Sequence, residues 1–214
     1  MTDRRHLDQA VLDVELVLIS VVQGVALSTL ATASAPLLRA HRLETYAFIG
    51  SGLAFVLSFW SVSLIHAISF VRWPMDLVHY FFYFALAFCE CLTFLSMDHP
   101  RDWFGFSLAS FLVAWVLYAY DYQLIVRQRG AFGGTTARQA LYEHVIRRQR
   151  REMWVLMPAG AMFSLAAWVV VGRRPETALP FALAQLGFTL AFVADFVRSF
   201  AQRQHRITAC LPEG

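Results

Sequence analysis

The chain has 214 residues, 58% of them hydrophobic and only 15% charged, with a formal net charge of +3. A soluble domain carries about 25% charge, so this composition excludes an ordinary water-soluble globule, and the modest charge gives no reason to expect a nucleic-acid partner. The apolar residues come in long blocks, and the mean hydropathy of +0.51 places the chain among helical membrane proteins.

A membrane-crossing helix needs about 20 mostly apolar residues. Six segments qualify, at roughly 14–35, 46–70, 75–97, 104–126, 153–172 and 178–200. The connections at 36–45, 71–74, 98–103 and 173–177 are short, and only 127–152 is long. Short connections predict an all-α, polytopic membrane protein: six transmembrane helices in an up-down bundle, chain neighbours packed side by side, one domain over 1–214. Thirteen arginines lie on the side of the N-terminus, the 127–152 loop and the C-terminus, against five on the other side. That bias predicts cytoplasmic termini in a bacterial inner membrane. The segment ATASAP (31–36) resembles a signal-peptidase site, but Pro36 directly after Ala35 blocks cleavage there.

The first span carries Ser20, Gly24, Ser28 and Thr32 at four-residue spacing, with Gln23 beside them. Successive members advance about 40° around the helix, so they form one slowly turning ridge. Small residues four apart let helices approach closely; they equally suit a narrow water-filled path in which hydroxyls replace hydration water. Gln23, near mid-membrane, brings an amide that close packing alone does not require.

The second span adds Ser58, Ser61, Ser63 and Ser69, with His66 about one turn from its cytoplasmic end. His79 lies about one turn into the third span, at the same level as His66. Asp121 ends the fourth span and Asp195 the sixth, so His66, His79, Asp121 and Asp195 form a cytoplasmic polar layer. Such a layer suits a gate sensitive to pH, or simply residues reaching interfacial water. Glu90 is different. It sits in FCECLTF, roughly 22 Å along its helix, beyond snorkelling distance. It must be protonated, hydrogen-bonded or facing water. Cys89 and Cys91 flank it on nearly opposite faces, and with Cys210 they make no CxxC pair, so no metal, cofactor or disulfide framework is expected. No catalytic residues are assigned, since neither a phosphate loop nor a nucleophile motif is present.

In the long loop, GAFGG (130–134) breaks the fourth helix, and Thr136 with Gln139 suits a capping box. A helix from Ala137 then runs into the fifth span, and Arg147, Arg148, Arg150 and Arg151 meet anionic lipid headgroups. Trp73, Trp103, Tyr118, Tyr120, Tyr122 and Trp154 fall where an interfacial aromatic belt belongs.

The segments VVQGVALSTL (21–30) and SFWSVSLIH (58–66) resemble the organellar potassium channels of the lysosomal type and their bacterial six-helix relatives. The resemblance spans residues 14–126 and lacks that family's Phe-Ser-Asp motif, with Gln23 standing where its Asp would be. It implies a homo-oligomeric channel passing an ion or small solute, with the first helix lining the path. The alternative is a non-transporting membrane module that senses or recruits a partner through the Arg-rich 137–152 helix.

Overall fold

Hydrocarbon offers no partner to a backbone N–H or C=O, so an apolar chain that crosses it satisfies those groups within helices. The computed structural model describes residues 2–39, 41–68, 77–127 and 136–208; inside its helices, the side chains of 2–12, 15, 64–68, 77, 136–138, 140–141 and 200–208 lie outside the description. The helices are α1 (Thr2–Leu38), α2 (Leu43–Ile68), α3 (Leu77–Leu95), α4 (Pro100–Arg127), α5 (Thr136–Arg151), α6 (Met157–Arg173) and α7 (Ala178–Thr208). Six stretches are long and apolar enough to cross a membrane: Leu16–Leu38, Leu43–Ser63, Val78–Leu95, Pro100–Arg127, Tyr142–Arg173 and Pro175–Ser199. The chain is an all-α integral membrane protein with six such helices, the number expected from the sequence; the fifth apolar stretch begins at Tyr142 rather than near 153.

The turns have local causes. His41 closes α1 with a left-handed backbone (φ 50°), and its N–H reaches the Leu38 carbonyl at 3.3 Å. Pro100 opens α4, where its missing N–H is dispensable. Between α5 and α6 the helix does not stop. Residues Glu152–Leu156 form a π-helical segment, and the Met157 N–H bonds the Glu152 carbonyl five residues back. Pro158 explains it: its ring would clash with the carbonyl four residues earlier, and widening the helix by one residue avoids that clash.

The expectation that chain neighbours pack side by side fails at two places. The backbones of α2 and α3 stand apart, because α1 packs against both and lies between them. Long side chains bridge the gap, as Phe59 onto Tyr83 at 5.6 Å between ring centres. Likewise α6 packs on α4 and α7 on α2, leaving a loose seam between α6 and α7. Glycines set these choices. A Cβ on Gly160 would lie 2.3 Å from Phe111, and one on Gly50 2.9 Å from Leu186. Only a bare backbone lets α6 approach α4, and α2 approach α7, this closely.

The main core sits at the end of the bundle away from α5, where Phe48, Phe94, Trp103 and Phe104 are all buried. Trp103 is fully buried, its ring 4.7 Å from that of Phe48. Tyr118 is buried too. Neither joins an aromatic belt, because each helix turns these rings onto its neighbours; Trp154, by contrast, is exposed.

Replacing Gly160 by Ala should destabilise the protein by about 1–3 kcal/mol through overpacking against Phe111. Gly24→Ala, with open space around its Cβ, should shift stability by less than about 1 kcal/mol. Unfolding of both purified variants in detergent checks the contrast; equal effects would contradict the packing described.

Candidate functional site

The polar residues inside the bundle fall into three groups. The first joins α1 to α3. Gln23 is 3% exposed and Glu90 6%, and Gln23 Nε2 donates to Glu90 Oε2 over a long 3.5 Å. Two helices that cross in the same direction, 67 residues apart in the chain, are thus tied by side chains neither could leave in hydrocarbon. The contact also orients α1. With Gln23 turned inward, Ser20, Gly24, Ser28 and Thr32 are all exposed on the outer face of the bundle. The stripe and the amide therefore separate: Gln23 braces Glu90, and the four small residues face away from the bundle.

The second group is a layer at the α5 end. His79 Nε2 stands 2.6 Å from Asp121 Oδ1, both buried, joining α3 to α4. The rings of Tyr83 and Tyr120 lie 5.9 and 5.3 Å from the imidazole. Arg148 Nε donates to Glu152 Oε1 at 2.6 Å, one turn apart on the α5–π segment, and its guanidinium lies over Phe196 of α7. Arg151 bonds Asp195 of α7 at the rim. Gln149 Nε2 donates to the Tyr118 carbonyl at 3.2 Å, and the Tyr142 hydroxyl to the Ile125 carbonyl at 3.3 Å. These contacts fasten α5 across the ends of α4 and α7.

This layer matches only part of the sequence expectation. His79 and Asp121 meet, whereas Asp195 pairs with Arg151. The side chain of His66 lies outside the described residues. Arg148 is turned inward onto Glu152, because a buried carboxylate one turn away draws it in. Arg147 and Arg150 remain exposed. Glu152 itself escaped notice in the sequence, although the Arg-x-x-x-Glu spacing of 148–152 was a readable sign. Among the described residues, no three His, Cys, Asp or Glu side chains cluster to hold a metal.

The third group also escaped notice. Trp103 Nε1 donates to Gln185 Oε1 at 2.6 Å, and Gln185 Nε2 to Ser107 Oγ at 3.3 Å, every member buried. Gln185 carries the same sign as Gln23: a lone amide inside an apolar span.

Between the first and second groups lies a cavity of about 90 Å³. Residues of α2, α3, α4, α6 and α7 line it, with Glu90 and Tyr118 among them, and none comes from α1. No protein-family model, no curated protein and no solved structure matches this chain.

Arg148→Leu should destabilise the protein by about 3–5 kcal/mol, because it strands a buried carboxylate. The double variant Arg148→Leu/Glu152→Leu should recover most of that loss. The exposed Arg151→Ala should cost less than about 1 kcal/mol. Equilibrium unfolding of the wild type, these three variants and the single Glu152→Leu decides, and an additive double variant would refute coupling between Arg148 and Glu152.

Proposed function

We propose that this chain is the subunit of a homo-oligomeric membrane channel passing an ion or small solute along the outer face of α1. The observation that carries the reading is the chemistry of that face. Ser20, Gly24, Ser28 and Thr32 are exposed, and a Cβ on Gly24 would meet nothing within 4 Å. They stand among exposed aliphatic residues such as Val17, Val21 and Val25, whereas the large exposed residues of α3, Val78, Phe81, Phe84, Phe88 and Leu95, are all apolar and suited to acyl chains. Hydroxyls turned toward lipid find no hydrogen-bond partner outside their own helix; turned toward a hydrated axis between equivalent subunits, they stand in for water around a permeating species. The Gln23–Glu90 contact holds α1 in the rotation that presents this face.

The resemblance of 21–30 and 58–66 to lysosomal-type potassium channels points the same way, since that family lines its pore with the first helix. In this reading both termini and α5 lie on the cytoplasmic side of a bacterial inner membrane, where Arg147 and Arg150 meet anionic headgroups. A recruiting module built on 137–152 is less favoured. Arg148, Gln149 and Arg151 bind the bundle itself, so α5 is held down as part of it.

Reconstituted in liposomes, the protein should conduct, with potassium as the first ion to try. Gly24→Leu and Ser28→Leu should each abolish flux by filling the path, while Phe88→Leu on the lipid face leaves it unchanged. Flux that survives both stripe substitutions would remove α1 from the path.

A further inference from the structure

The cavity between α2, α3, α4, α6 and α7 has mostly apolar walls. Phe55 of α2, Phe111 of α4 and Phe188 of α7 converge on it, with ring centres 5.6 Å apart for Phe55–Phe111 and 6.3 Å for Phe111–Phe188. The hydroxyls in the lining divide into two sets. Thr93, Ser110 and Thr189 give their protons to backbone carbonyls, those of Cys89 at 2.8 Å, Phe106 at 3.0 Å and Leu186 at 3.0 Å. Ser58, Ser107 and Tyr118 keep theirs. They are 8%, 1% and 7% exposed, and among the described residues no acceptor takes any of the three protons. Ser107 is itself an acceptor, from Gln185 Nε2 at 3.3 Å.

Buried donors without an acceptor carry a free-energy cost that a guest can relieve. Water is a poor guest here, because a buried water needs several polar partners within reach. Ser107 and Tyr118 stand three turns apart on α4, roughly 16 Å, so one water cannot bridge them. An ion is worse placed. The lining holds no basic side chain, and its one carboxyl, Glu90, is already bonded by Gln23 where hydrocarbon disfavours charge. The walls suit a guest that is uncharged, mostly hydrocarbon and equipped with one acceptor. A carbonyl oxygen fits best, since it has two lone pairs and brings no proton that needs a partner of its own, as an alcohol would. Size limits the guest further. An apolar cavity of about 150 Å³ holds benzene; in proportion, one of about 90 Å³ holds roughly four heavy atoms.

The helices leave a lateral way in. The loose seam between α6 and α7 borders the cavity through Met157 on one side and Phe188 and Phe192 on the other. The 174–177 turn closes that seam at one end, and Arg151 bonded to Asp195 closes it at the other. The stretch between them lies within the apolar spans, so a guest reaches the cavity dissolved in the membrane.

We infer that the cavity is a binding site for a small uncharged ketone taken up from the membrane, its carbonyl oxygen accepting a hydrogen bond from Tyr118 and its alkyl groups lying among Phe55, Phe111 and Phe188. None of the lining comes from α1, so the site does not depend on the conduction reading.

The test is ligand-observed saturation-transfer NMR on the full-length protein in lipid nanodiscs, with empty nanodiscs as the blank. A guest of four heavy atoms binds no tighter than about 40 µM, and the method reads binding that weak. Three probes share one size: acetone, isobutene, in which a methylene replaces the carbonyl oxygen, and trimethylammonium. Acetone should bind saturably, isobutene roughly fivefold more weakly at equal concentration in the lipid, and trimethylammonium not at all. Tyr118→Phe should weaken acetone by roughly fivefold and leave isobutene unchanged. Ala114→Phe, which fills the space, should abolish binding of both. The unfolding temperature of each variant without ligand shows whether it is folded; if Ala114→Phe fails to fold, Ser110→Leu replaces it as the filling variant. Absence of saturable acetone binding to the wild-type protein would overturn the inference. So would isobutene or trimethylammonium binding as tightly as acetone, or unchanged acetone affinity in folded Tyr118→Phe or in the folded filling variant.

Discussion

Hydrocarbon gives a polar side chain nothing to bond to, and that constraint arranges this bundle. Burial of apolar surface cannot choose helix partners where the solvent is as apolar as leucine. Close packing and polar pairing remain. The glycines at 50 and 160 supply the first, letting α2 meet α7 and α6 meet α4. Gln23–Glu90, His79–Asp121 and Trp103–Gln185–Ser107 supply the second. Each polar contact fixes the rotation of the helices it joins as well as their adjacency. Two of them link helices that are not consecutive, which is why the order of packing departs from the order of the chain.

Rotation has functional consequences. Once Gln23 is committed to Glu90, α1 has no freedom to bury its small-residue stripe. The stripe lies on the bundle's outer surface, while its neighbours Ile19, Val22, Ala26 and Leu30 fill the inside. One hydrogen-bonded contact thereby sets which residues of α1 face out, Ser20, Gly24, Ser28 and Thr32 among exposed aliphatic side chains such as Val17, Val21 and Val25, and leaves a largely apolar cavity inside. The cavity and the outer face of α1 share no lining residue.

The α5 end follows a different rule. There the charges are matched in pairs, with Arg148 against Glu152 and Arg151 against Asp195. The π-helical turn that Pro158 imposes lies just where α5 bends its arginines toward α7. A regular helix at that point would shift every following side chain by about 100°, so the widened turn and the pairing belong to one arrangement.

The sequence by itself determined that the chain forms six helices long and apolar enough to cross a membrane, and that the helix from 137 runs on toward the fifth of them. Length, apolarity and turn-forming residues are local properties, and local properties are written in order along the chain. It also marked Gln23, Glu90, His79 and Asp121 as polar groups that must be satisfied. Only the tertiary structure decided their partners, the inward turn of Arg148, the burial of Trp103 and the outward turn of the Ser20–Thr32 stripe. Those depend on how helices rotate and which ones meet, and in a bundle that rotation is settled by contacts between residues tens of positions apart, which no periodicity within a single helix contains.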